Sequence, residues 1–266
     1  MKTASTIKIA LTALVVGIAP TLAALTPQEE LGKAVFFDQN LSANGNQSCA
    51  TCHGASVGWT GPKEINNADG AVYEGSIPGA FGDRKSPTAA YAGDSPLLYY
   101  NAKAGAWVGG MFWDGRATGW TLGDSLAEQA LGPFLNPKEQ ALPSATEVIG
   151  IVQASSYAGL FAEQCPSDTT AELYSCIGRA IAAFERSSEV SPFTSKYDYW
   201  LKGQAKLTAT EHLGRALFQG KAGCAACHPI KGKQPLFTDF TYDNLGIPKN
   251  LDNPATVADP TWADPG

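Results

Sequence analysis

Apolar positions recur at helical spacing in only a few stretches of this chain, and polar segments rich in glycine and proline separate them. The clearest stretch is 169–187, where Leu173, Cys176, Ile177, Ala180, Ile181 and Phe184 fall on one face and Thr169 with Glu172 forms a capping box. A second helix is predicted from Thr26-Pro27-Gln28-Glu29, which reads as an N-cap, a proline at the first helical position and a capping glutamate. Leu31, Ala34 and Val35 supply its apolar face. Ser125 to Leu131 reads as a third helix, before Gly132-Pro133. Asn136-Pro137-Lys138-Glu139 then reads as the start of another, with Asn136 as cap and Glu139 closing the box. Residues 54–100 are rich in Gly, Pro, Asn and Asp, so loops are expected there. At the start, Lys2 and Lys8 precede an apolar run from Ile9 to Ile18, followed by Thr21, Ala23 and Ala24. That pattern predicts a signal peptide over 1–23. The run is too short for a permanent anchor, and no later stretch is long and apolar enough to span a bilayer.

The pattern also repeats. The stretch Leu25 to Phe36 aligns with Leu207 to Phe218, with seven of twelve positions identical. Each copy precedes a Cys-x-x-Cys-His motif: Cys49-Ala50-Thr51-Cys52-His53 and Cys224-Ala225-Ala226-Cys227-His228. The duplication predicts two related modules, with the boundary at Ser191-Pro192, giving domains over 24–190 and 191–266. It also makes His212 the counterpart of Glu30 and therefore a surface residue. Cys-x-x-Cys-His is the attachment signal of c-type haem. Two thiols form thioethers to one porphyrin, and the histidine lies beneath the iron as its ligand. A zinc cluster or dithiol pair is the competing reading. Zinc requires four converging ligands and gives no reason for His directly after each second Cys.

Composition sharpens this picture. The chain has 266 residues and a formal charge of −6, which becomes −8 once Lys2 and Lys8 leave with the signal peptide. An acidic surface argues against nucleic acid and favours a basic partner such as a small electron carrier. Export and c-type haem both point to the periplasm. In that oxidising compartment the two spare cysteines, Cys165 and Cys176, are expected to form a disulfide, the alternative being two buried thiols. No histidine lies between His53 and His212, so the first iron reads as open or water-bound on its far side. Tyr73, Tyr91 and Lys85 are other possible ligands, and spacing selects none of them. Trp113, in Gly110-Met111-Phe112-Trp113-Asp114-Gly115-Arg116, reads on its own as a buried core aromatic.

With Phe112-Trp113-Asp114-Gly115-Arg116, Glu128-Gln129-Ala130, Gly132-Pro133 and Asn136-Pro137-Lys138-Glu139 between two haem motifs, the chain resembles the bacterial di-haem cytochrome c peroxidase and MauG family. The likeness runs from about Leu25 to the end and includes Phe237-Thr238-Asp239 and Asn244 to Pro248. It implies a mainly α fold of two cytochrome c-like haem domains. The N-terminal haem would be peroxidatic, with His53 proximal, Gln129 and Glu139 distal and Pro133 in the pocket wall. Trp113 would lie between the haems, and the second haem, on His228, would relay or store oxidising equivalents. The implied reaction is reduction of hydrogen peroxide by electrons from a small cytochrome c or cupredoxin. Alternatives are oxidation of Trp or Tyr on a partner protein, or a non-enzymatic di-haem electron carrier. The family's removable distal histidine is missing, which implies an accessible haem of the MauG type. Lys85 replaces the family's calcium-binding Asn, which puts calcium in doubt. Only 38 residues follow His228, and Met111 is the sole methionine after Met1, so the second domain reads as truncated and its haem as five-coordinate.

Overall fold

The computed structural model describes residues 24–62 and 72–264; the signal peptide expected over 1–23 lies outside them. The described chain is mainly helical. Helix α1 (Pro27–Phe37) starts with the predicted box: the Thr26 N–H donates to the Glu29 carboxylate at 2.6 Å, and Thr26 Oγ1 accepts from the Glu29 N–H. The single turn α2 (Cys49–Cys52) follows. A short antiparallel hairpin, β1 (Tyr99–Asn101) and β2 (Ala106–Val108), interrupts the loop-rich region with Tyr99 opposite Val108. Then come α3 (Ser125–Leu135), α4 (Ala145–Gln153), α5 (Ala158–Gln164) and α6 (Thr170–Arg186).

The core lies where α1 crosses α6. Leu31, Val35 and Phe36 meet Ile177, Ala180, Ile181 and Phe184, and Val148, Val152 and Phe161 close it from α4 and α5. The rings of Phe36 and Phe184 stand edge to face, 5.4 Å apart. Gly32 permits the crossing, because a Cβ there would lie 1.9 Å from the Ala180 carbonyl oxygen. Gly178 does the same for α3, whose Ala127 carbonyl oxygen lies 2.5 Å from a Cβ built on it. The Cys165–Cys176 disulfide is present and ties the end of α5 to α6.

Two local expectations fail. Helix α3 continues through Pro133 to Leu135. Asn136 to Glu139 forms a turn, not a helix, because the chain folds back onto α3. The N–H groups of Gln140 and Leu142 donate to the carbonyls of Pro133 and Phe134, satisfying orphan acceptors at the helix end.

Beyond residue 190 lie α7 (Lys196–Leu201), α8 (Ala209–Gln219) and α9 (Pro254–Ala258). Helix α8 repeats the capping box of α1 with Thr208 and Glu211. It buries no residue: Leu213 is 61% exposed, whereas its counterpart Leu31 is fully covered. His212 is exposed, as the repeat predicts.

Candidate active site

Helix α2 supplies the start of the site. One helical turn brings Cys49 and Cys52 to one side, and His53 caps it with its N–H on the Cys49 carbonyl at 2.9 Å. His53 Nδ1 lies 3.2 Å from the Trp59 carbonyl. That contact requires the proton on Nδ1 and leaves the Nε2 lone pair free to ligate. Burial holds the imidazole below its ordinary pKa and so keeps it neutral.

This turn faces a cavity of about 560 Å³, a size suited to a cofactor. Cys49, Cys52, His53, Trp113, Gln129, Pro133 and Glu139 all line it. Six come from α2, α3 and the turn after α3, and Trp113 comes from the loop after β2. Glu139 is held by Asn136, whose Nδ2 donates to Oε1 at 2.9 Å. Burial pushes the Glu139 carboxyl up, while Arg116 and Asn136 pull it down and Asp83 pushes it up. Tyr73 and Lys85 also lie in the wall, whereas Tyr91 meets Phe193 edge to face instead.

Trp113 is not a core residue. It is 53% exposed, and its indole N–H donates to the Lys85 carbonyl at 2.8 Å. The loop that carries it is pinned by charge: Asp114 accepts from both Arg84 and Arg116 at 2.7 Å, and Arg116 lies over the Phe112 ring. These bonds hold the indole at the cavity wall rather than in the apolar centre.

The second motif has the same local design. The His228 N–H donates to the Cys224 carbonyl at 2.9 Å, and Nδ1 lies 2.8 Å from the Phe237 carbonyl. Cys224 is half-buried, while Cys227 and His228 are exposed. Zinc would need ligands from both motifs to converge, and no group of three or more His, Cys, Asp or Glu among the described residues does so. Free thiols beside an imidazole in a cofactor-sized cavity fit thioether attachment.

Among the wall residues that escaped the sequence reading are Gln140 and Glu185. For Glu185 a signal existed: it lies four positions after Ile181, on the apolar face of α6.

A Cys-x-x-Cys-His turn opening onto a cavity that also holds a carboxyl and an amide is the arrangement of a c-type cytochrome site. Residues 26–206 match the family described as di-haem cytochrome c peroxidase, and the chain belongs to that family. It is 36% identical over 229 residues to the methylamine utilization protein MauG of Paracoccus denitrificans, covering 83% of this chain and 57% of that one. It is 34% identical to the cytochrome c551 peroxidase of Nitrosomonas europaea, covering 87% and 61%. The fold matches the crystal structure of the diheme peroxidase BthA from Burkholderia thailandensis with a TM-score of 0.80 and 32% identity, over 92% of this chain and 60% of that one. The chain thus spans about three fifths of the length of these relatives.

Proposed function

We propose that this is an exported, periplasmic di-haem c-type peroxidase that reduces hydrogen peroxide to water with electrons from a small cytochrome c or cupredoxin. One observation carries the reading: the half-buried Glu139 carboxyl shares a single cavity with the Cys49-Cys52-His53 turn. One haem would be held by Cys49, Cys52 and His53, and a second by Cys224, Cys227 and His228. When bound, haem supplies the one-electron chemistry that no side chain provides.

The chain's own residues supply the rest. Glu139 moves a proton between the two peroxide oxygens as the bond between them breaks. Gln129 orients the peroxide and stabilises developing charge with its amide. His53, fixed by the Trp59 carbonyl, presents one nitrogen in one orientation. Trp113 offers an oxidisable ring at the cavity wall. Because burial raises the Glu139 carboxyl, activity is lost on acidification at a higher pH than for an exposed glutamate.

Glu139→Gln keeps the shape and removes the exchangeable proton. Steady-state oxidation of a reduced small cytochrome by peroxide is expected to fall about 100-fold or more. Unchanged turnover removes Glu139 from the mechanism.

A second reading is oxidation of Trp or Tyr on a partner protein. It is favoured by the half-exposed Trp113, through which an electron from a docked protein would enter, and by the similarity to MauG. No helix among the described residues is long and apolar enough to cross a membrane.

A further inference from the structure

Of the carboxyls in the cavity wall, one that the mechanism above does not use is buried. Glu185 sits in the last turn of α6, one turn beyond Ile181, and both line the cavity. It is 5% exposed. Its backbone carbonyl accepts from Ser191 Oγ, but its side-chain oxygens have no hydrogen-bond partner among the described residues. The adjacent Arg186 favours the charged form through space but makes its hydrogen bonds elsewhere. Its two terminal nitrogens donate to Asp124 at 2.8 and 2.9 Å, and its Nε donates to the Gly93 carbonyl.

The remaining ionisable neighbours supply no further positive charge. From α2 it faces Cys49, whose thiol it pushes up, with Cys52 beside it. Glu139, elsewhere in the wall, also pushes Cys49 up. From the start of α3 comes Asp124, paired with Arg186, whose negative charge pushes the Glu185 carboxyl further up. An unpaired buried carboxylate is costly, so this group holds its proton. Burial pushes it up to about 8. A glutamine would fill the same space without titrating. An acid in that position keeps one exchangeable proton inside a reaction cavity.

We propose that Glu185 is a proton-carrying residue of this cavity, releasing a proton when the holoprotein is oxidised and regaining one when it is reduced. The inference rests on the peroxidase reading for its use. Hydrogen peroxide, two electrons from the redox-protein donor and two protons give two waters. Glu185 delivers one of those protons through cavity water and is reprotonated from solvent.

The test is a redox titration of the N-terminal haem in the holoprotein, without peroxide, from neutral to alkaline pH, in wild type, Glu185→Gln and Glu139→Gln. The expected wild-type potential falls with pH around about 8, approaching one proton per electron. Glu185→Gln flattens that slope and Glu139→Gln keeps it. Peroxide turnover in Glu185→Gln falls about tenfold with KM for peroxide unchanged. A flat wild-type slope, or a slope that survives in Glu185→Gln, overturns the proposal. Should Glu185→Gln fail to take up haem, redox-difference infrared spectra of Glu139→Gln decide. A protonated-carboxyl band lost on oxidation supports the proposal, and its absence refutes it. Absent turnover in wild type counts against the peroxidase reading, whereas the slope alone decides for or against Glu185.

Discussion

Glu139 and Glu185 show how neighbours, not residue type, set the chemistry of a side chain. Both carboxyls lie in one wall, yet half-buried Glu139 has Arg116 and a hydrogen bond from the Asn136 amide to favour its charged form, whereas buried Glu185 has only the through-space charge of Arg186 and no side-chain hydrogen bond. The consequence for stability has a definite sign. Glu185 titrates near 8 in the folded chain and near 4.5 when exposed, so its favourable contribution is complete below about pH 4.5 and is lost as pH rises through about 8. Wild type is expected to lose a few kcal/mol between those limits from this group, and Glu185→Gln to lose less; urea midpoints across pH measure it. Equal pH dependence in the two proteins would show that Glu185 is hydrated or paired in solution. The same lesson explains Trp113. A tryptophan between Phe112 and an Asp-Gly turn is ordinarily core, but here Lys85, Arg84 and Arg116 fix its loop at the cavity wall.

Helices whose signals are local were legible. Thr26, Thr169 and Thr208 each accept from the glutamate N–H three residues on, because a cap is settled within four residues; the boxes at Thr26 and Thr208 close, whereas the Thr169 N–H turns to Ser167 Oγ, so the box expected with Glu172 stays half made. The end of α3 was not legible, since its last carbonyls are satisfied by Gln140 and Leu142 returning from a turn. Packing between elements concentrates at Gly32, where α1 meets the α6 backbone. Gly32→Ala is expected to cost about 3 kcal/mol or more, because its Cβ would meet a backbone oxygen that cannot rotate away. A shifted denaturation midpoint reports that cost. An unchanged midpoint would mean that the crossing is looser than the 1.9 Å approach requires. The counterpart in α8, Gly214, has nothing near it, so Gly214→Ala serves as the control.

Across the whole molecule, two attachment turns with one local design stand in different surroundings. The first opens onto a cofactor-sized cavity, whereas the histidine and second cysteine of the other are exposed. The intact holoprotein is expected to carry two covalent haems by mass, and the Cys224→Ala/Cys227→Ala pair one, with the peroxide-reactive spectrum retained. If that double variant loses peroxide reactivity at the first haem, the two centres are coupled more tightly than their separate turns imply. The sequence alone determined the two Cys-x-x-Cys-His turns, the capped helices, the duplication and the Cys165–Cys176 pair, because each rests on neighbours a few residues apart or on chemistry with one partner available. Only the tertiary structure decided that Glu185 enters the cavity, that Trp113 is half exposed, and that α1 is buried while its near-copy α8 is not. Those outcomes depend on which surfaces meet across long stretches of chain, and burial, unlike spacing, belongs to both partners.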